Sequence, residues 1–329
     1  MILIIGAGIA GLTLAQYLKR ENIEFVILEN KTNDWTGYSL TLMQAEDILR
    51  ELDLFKNLTD IVTTTKASGY HWNGRQLWSK STANAKSVVH RGELLRVLRE
   101  GIDVRSFDYD RYEEMIDHVI VYDKTGGNII CDYLVGCDGL HSRVRKQLIG
   151  PDFIEPCLDL MVNSGITEMM CQETRQYLNG ESRLFLKPFD AEHVMWQLSY
   201  PKRLLNESLL PQEMARTIIS GCEFGTDLID RARDVSQREL LQTQVLDSIQ
   251  SKRVTVIGDA AHTMSPFKGL GANTAMMDAR DYCMLYKLMK PDHLRVFNDM
   301  MIKRGNRNQK RSFLATKSAH SFRISGVVN

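Results

Sequence analysis

The sequence has no excess of either charge: 41 lysines and arginines balance 41 aspartates and glutamates over 329 residues. No overall field therefore draws nucleic acid or an anionic membrane, and no nucleic-acid partner is expected. No apolar run approaches the ~20 residues of a membrane span, so no stable membrane insertion is expected either. The first apolar segment stops at Gly6 with no charged region before it, which argues against a signal peptide. Cys131, Cys137, Cys157, Cys171, Cys222 and Cys283 form no C-x-x-C pair and no zinc-like spacing. They read as reduced thiols of a cytoplasmic protein without a metal site. One local imbalance exists. Lys303, Arg304, Arg307, Lys310, Arg311, Lys317 and Arg323 follow one another without an acid, a pattern that predicts a solvated helix face.

Internal repeats are also missing, so the architecture is read from switches in hydrophobic period. Residues 2 to 5 form a continuous apolar run suited to a buried parallel strand, 9 to 20 have helical spacing, and 24 to 29 suit a second strand. That is a βαβ unit. "YLVGCDG" (133 to 139) and "RVTVIGD" (253 to 259) repeat the buried-strand pattern, which predicts a nucleotide domain assembled from separated pieces. Between them, "GYHWNGRQLWS" (69 to 79) reads as a hairpin with Asn73 and Gly74 at its tip. "RLFLKPFDAEHVMWQLSYP" (183 to 201) reads as two strands turning at Asp190, part of an inserted antiparallel sheet. Helices are expected over 211 to 221, over 270 to 289, and through the basic stretch to Gly326.

Gly6, Gly8 and Gly11, with Ala10 between, make G-x-G-x-x-G between strand and helix. That placement gives a tight turn, close approach to a pyrophosphate and a helix N-terminus for its charge. Glu29 ends the second strand, where an acid accepts from ribose hydroxyls. Such an acid fits FAD or NAD and disfavours the 2′-phosphate of NADP at this site. In "GDAAHTMSPFKGLGANTAMMDA" (258 to 279), Asp259 is placed to accept from a polyol hydroxyl, while Gly269, Leu270 and Gly271 open a helix whose dipole favours an anion.

In these motifs the chain resembles the class A flavoprotein monooxygenases, the para-hydroxybenzoate hydroxylase-like or salicylate hydroxylase-like FAD enzymes. Three signatures occur in order: the glycine motif, "DGLHSRVR" (138 to 145) and "GDAAHTMSP" (258 to 266), with Arg91 in "VVHRGELLRVL" matching the family arginine. The resemblance implies an α/β fold: a Rossmann-like FAD-binding domain of the para-hydroxybenzoate hydroxylase type over 1–66, 88–153 and 251–329. An inserted antiparallel substrate domain would take 67–87 and 154–250, followed by C-terminal helices. It implies Glu29, with Asn30 beside it, at the adenosine ribose; Arg91, Asp138 and Gly139 near the FAD linker; and Asp259 on the ribitol. Pro266, Gly269, Leu270, Gly271, Ala272 and Asn273 would lie beside the isoalloxazine. His262 reads chiefly as a structural histidine near the flavin. Asn30 stands where the family often has arginine, and Met277 where an acid is common.

The implied activity is an NAD(P)H-dependent FAD monooxygenase, an oxidoreductase passing one oxygen atom of O2 through a C4a-hydroperoxyflavin to a small, apolar or aromatic substrate that it hydroxylates or epoxidises. An FAD-dependent reductase or dehydrogenase without oxygen insertion, and a non-enzymatic flavin-binding protein, are the alternatives. A halogenase is not supported, since Trp35, Trp72, Trp78 and Trp196 have no partner two places away. The pocket is expected between the flavin and the inserted sheet. Trp196 lies on one face of strand 194 to 200 with Val194, Leu198 and Tyr200, and Met195 and Gln197 lie on the other, so either face suits a lining. Trp72, Phe185 and Phe267 suggest an aromatic cavity. No basic residue of the sheet stands out as a carboxylate clamp.

Overall fold

The computed structural model describes residues 1–30, 38–59, 61–151, 153–222 and 225–321. Trp35 and the expected helix end at Gly326 lie outside the described residues. A five-stranded parallel sheet runs in the order Val254–Val256, Tyr133–Gly136, Ile2–Ile5, Phe25–Glu29, Val104–Ser106. Ile2, Leu3 and Ile4 are inaccessible to solvent, the reason that strand is apolar without alternation. Its neighbours Tyr133 and Phe25 pair on either side of Ile2, so segments more than a hundred residues apart meet beside the glycine turn. The helix Ile9–Arg20 leaves that turn and packs against Gly271–Met289.

An eight-stranded sheet has the order Arg233–Thr243, Ile154–Glu168, His193–Pro201, Arg183–Pro188, Thr174–Leu178, Val62–His71, Gln76–His90, Ser39–Thr41. It is antiparallel except where Thr174–Leu178 runs parallel to Val62–His71. Both expected hairpins are present. Gly74 turns the first with φ +86°, and the Asp190 carboxylate accepts from the Glu192 and His193 amides in the second. The sheet begins earlier than residue 67: the 15-residue strand Gln76–His90 is long enough to pair Val88 with both Val62 and Thr41.

A third, three-stranded antiparallel sheet, Tyr109–Glu114, Val119–Asp123 and Asn128–Cys131, lies in the chain between Arg91 and Asp138. The last helix, His293–His320, is not wholly a solvated face. Arg304 is buried in it, paired with Asp278 at 2.8 Å and Asp281 at 2.5 Å. The apolar residues form a large cluster around the parallel sheet and a second behind the eight-stranded one.

Candidate functional site

The glycines of the first motif divide by what a side chain would meet. A Cβ on Gly11 would lie 2.0 Å from the Gly6 carbonyl oxygen, and one on Gly6 would lie 2.4 Å from that of Cys137. These two permit backbone contact. Gly8 and Gly139 face open space, where a Cβ would fill the cavity instead. No side chain caps the helix starting at Ile9 and no acid sits in its first turn, so its positive end stays available to an anion. Glu29 is tied to this loop, its Oε2 accepting from the Ala7 amide at 3.0 Å and its Oε1 from the Asn30 amide at 2.9 Å. A carboxylate has acceptor capacity beyond those two bonds, as a ribose diol requires. The Asn30 side chain is exposed and reaches Asp108 instead.

In the second motif the Asp138 carboxylate serves its own turn. It accepts from the Ser142 hydroxyl at 2.5 Å and the Arg143 and Val144 amides at 2.7 and 3.2 Å. Burial pushes its pKa up despite those bonds. Gly139 is the member of the pair that lines the cavity. Arg145, the last residue of this signature and given no role from the sequence, joins this motif to the third: Nη1 donates to the Ala260 carbonyl at 2.8 Å and Nη2 to that of Leu140 at 2.6 Å.

Asp259 opens the third motif on the cavity wall, its side chain exposed to the cavity. Burial raises its pKa, while His262 and Arg91 oppose that shift. Burial in turn lowers Arg91, with Asp259 opposing. No donor among the described residues hydrogen-bonds the Asp259 carboxylate, so it is an acceptor awaiting a hydroxyl. Pro266, Gly269, Gly271 and Ala272 line the same cavity, but the side chains of Leu270 and Asn273 do not. Asn273 is spent on protein: Oδ1 accepts from the Met43 and Ala45 amides, and Nδ2 donates to the Thr41 and Gly269 carbonyls. It positions the loop from within. His262 is likewise away from the cavity, its Nε2 2.6 Å from Asp278 Oδ2. Burial disfavours its charge, but Asp278 outweighs burial and holds its pKa above the ordinary value.

The cavity has a volume of about 710 Å³. Its far wall is the eight-stranded sheet, and strand register decides which side chains it presents. Phe185 pairs with Gln197 and Lys187 with Met195, so all four project to one side and line the cavity. Trp196 projects to the other side into the second core, with Val194, Leu198 and Tyr200. There Met214, Ala215 and Ile219 of the helix Pro211–Ile219 cover it, and its indole N–H donates to Thr167 at 3.2 Å. Trp72 is in that core too, so neither tryptophan lines the cavity. Phe185 and Phe267 do line it. Lys187 on this wall is the basic residue the sequence did not single out.

An FAD fits this residue set. The open glycines provide a cradle, and Asp259 provides an unpartnered acceptor at the strand end. The fold and site define an FAD-dependent monooxygenase. Residues 1–290 match the FAD binding domain family, and the chain belongs to it. Among curated relatives, the FAD-dependent monooxygenase esdpE of Penicillium shearii is 26% identical, the match covering 84% of this chain and 67% of that one. Phenazine 1,6-dicarboxylic acid hydroxylase PhzS of Lysobacter antibioticus is 27% identical over 84% and 80%. Among solved structures, Klebsiella pneumoniae HpxO complexed with FAD and uric acid aligns with a TM-score of 0.87 at 20% identity, over 97% of this chain and 89% of that one. No helix among the described residues is long and apolar enough to cross a membrane.

Proposed function

We propose that this protein couples NAD(P)H oxidation to insertion of one oxygen atom from O2 into a small aromatic substrate held between the FAD motifs and the eight-stranded sheet. One observation carries the reading: a single cavity is lined on one side by Gly8, Asp259 and Gly271 and on the other by Phe185, Met195 and Gln197. When bound, FAD supplies the redox chemistry and oxygen activation. The chain's part is placement and electrostatics. The uncapped start of Ile9–Arg20 stabilises the pyrophosphate, Glu29 takes the ribose, and Asp259 takes a polyol hydroxyl. The start of Gly271–Met289, which carries no acid in its first turn, favours negative charge near the ring. The sheet wall excludes water from the reacting face. The names of PhzS and of 2,6-dihydroxypyridine-3-hydroxylase from Arthrobacter nicotinovorans support aromatic hydroxylation as the reaction type.

The test is reconstitution with FAD followed by NAD(P)H and O2 consumption with phenols, polyketides and terpenoids. The expected result is a yellow protein whose NAD(P)H oxidation rises with one substrate, with label from 18O2 in the product. Absence of flavin absorbance after reconstitution sinks the cofactor assignment. Flavin reduction without substrate-stimulated oxygen uptake across the panel supports a reductase instead.

A further inference from the structure

The basic run of the last helix divides in two. Arg304 turns inward to Asp278 and Asp281, whereas Lys303, Arg307, Lys310, Arg311 and Lys317 are exposed and have no carboxylate partner among the described residues. At ~100° per residue these cations fall within an arc of about 120°, and from 303 to 317 they extend for ~21 Å at ~1.5 Å per residue. No acid follows Asp299 in the sequence, so nothing on this part of the helix offsets them. Two large apolar side chains stand in the same arc, Met300 at 43% and Leu314 at 53% exposure. Because the chain as a whole is neutral, an unpaired cationic face implies excess acid elsewhere, which turns this face toward an anionic surface. The helix also walls a second cavity. Ala315, Ser318 and Ala319 line this space of about 420 Å³, which shares Phe185 and Phe267 with the cavity of the candidate site. Trp78, 40% exposed, lines it too.

We propose that the outer face of the helix His293–His320 docks the protein on an anionic lipid bilayer, with the second cavity facing the lipid. The exposed cations meet headgroup phosphates and carboxylates, while Met300 and Leu314 enter the boundary between headgroups and acyl chains. The Trp78 indole suits that same boundary, apolar at one end and wet at the other. These side chains distinguish lipid from nucleic acid: a phosphate backbone uses the cations and leaves Met300, Leu314 and Trp78 in water. Two apolar residues on the helix are too few for insertion, so the attachment is electrostatic, reversible and screened by salt. Resting on the monooxygenase reading, this gives an apolar substrate a path. It partitions into the bilayer, enters beside Trp78 and passes Phe185 and Phe267 into the cavity that the FAD motifs line.

The experiment is sedimentation of FAD-loaded protein with vesicles, without NAD(P)H or substrate. Wild-type protein is expected to bind vesicles of phosphatidylcholine with about one-third phosphatidylserine at least about 100-fold more tightly than phosphatidylcholine alone. It should come off as added salt shortens the screening length from ~10 Å at ~0.1 M to ~3 Å at ~1 M. The triple variant Lys303→Gln, Lys310→Gln, Lys317→Gln should weaken binding by about 30-fold or more, and Leu314→Ser by about three- to tenfold. A second triple variant, Lys56→Gln, Arg105→Gln, Lys124→Gln, changes net charge equally outside the helix and should have at most about a threefold effect. Brominated phosphatidylserine should quench more tryptophan emission in wild type than in Trp78→Phe, since Trp72 and Trp196 are buried in the core. Absence of vesicle binding, equal affinity for charged and neutral vesicles, binding that survives the helix substitutions, or an equal loss in the second triple variant overturns the proposal. So does tighter binding of a random DNA duplex than of vesicles through the same lysines, which makes nucleic acid the partner. Equal quenching in wild type and Trp78→Phe overturns the placement of the second cavity against the lipid. Circular dichroism and retained flavin establish that each variant is folded. Vesicle binding involves no turnover, so failure here and failure of the monooxygenase reading are separate results.

Discussion

The imidazole of His262 and the carboxylate of Asp278 meet at 2.6 Å with both side chains buried, and Arg304 closes on the other Asp278 oxygen at 2.8 Å. The same carboxylate also takes the Gly258 amide at 3.1 Å, so the network holds the turn immediately before Asp259. Asp278→Asn leaves the imidazole without its buried counter-charge and the Arg304 guanidinium with Asp281 alone, and should cost about 3–5 kcal/mol in denaturant unfolding.

The pH dependence of that loss has a defined window. His262 is held above its ordinary 6.5, so its contribution is complete below that value and is lost as pH rises through the higher folded pKa. Burial acts to raise Asp278, but His262 and Arg304 prevail and hold it below 3.8. Its contribution is complete above 3.8 and is lost as pH falls through the lower folded value. The melting-temperature gap between wild type and Asp278→Asn should therefore be widest between these two reference values and narrow on either side. A gap that is flat with pH counts against the network.

Gly11 and Gly8 should fail in different ways. Alanine at 11 drives its Cβ into the Gly6 carbonyl, backbone that cannot step aside, and should destabilise even the FAD-free protein by about 1–3 kcal/mol. Alanine at 8 meets no protein atom and has an ordinary φ of −81°, so the FAD-free protein should melt as wild type does. It occupies the cradle instead, and FAD affinity should fall by about tenfold or more. Melting of the FAD-free protein and a flavin titration separate the two. Equal melting temperatures for Gly11→Ala and wild type would falsify the packing assignment.

The parallel sheet was legible because its strands are buried on both faces and written as unbroken apolar runs, as at Ile2 to Ile5. The wall of the cavity was not. Val194 to Tyr200 carries Val, Trp, Leu and Tyr on one face and Met, Gln and Ser on the other, and either set suits a cavity lining; the covering helix Pro211–Ile219 decides that Trp196 turns inward to the core and Met195 to the cavity. Lys187 carried no signal in "RLFLKPF", where one lysine in a strand ordinarily reaches water. Arg304 lay in a basic run whose other members gave no hint that one would be drawn inward by Asp278 and Asp281.

That division of faces predicts opposite phenotypes for neighbours. Trp196→Phe loses the hydrogen bond to Thr167 and leaves space against Gly165, whose Cα lies beneath the indole, and should cost about 1–3 kcal/mol with little effect on ligand binding. Gln197→Leu should leave stability within about 1 kcal/mol and change KM or substrate choice. Chemical denaturation and steady-state kinetics on both variants decide the matter, and a Trp196→Phe effect confined to KM would reverse the assignment of faces.

Arg145 offers the sharpest test of how the three motifs are held together. Its side chain is fully buried, and its two terminal nitrogens bond carbonyls in different motifs, Leu140 in the second and Ala260 in the third. Burial lowers its pKa, with Asp138 opposing, yet arginine's ordinary value is so high that the side chain stays charged across the working range. Lysine keeps the charge but has a single nitrogen, which cannot span both carbonyls in the same geometry. Arg145→Lys should therefore lose about 2–4 kcal/mol of stability and weaken FAD binding, because Gly139 and Asp259 sit on the two segments it pins. Arg145→Met, which removes the buried charge as well, leaves the same carbonyls unpaired but no unsolvated cation, and should be no worse than lysine in stability. If lysine instead restores wild-type melting and FAD affinity, the charge alone suffices and the two-carbonyl bridge has no role in joining the motifs.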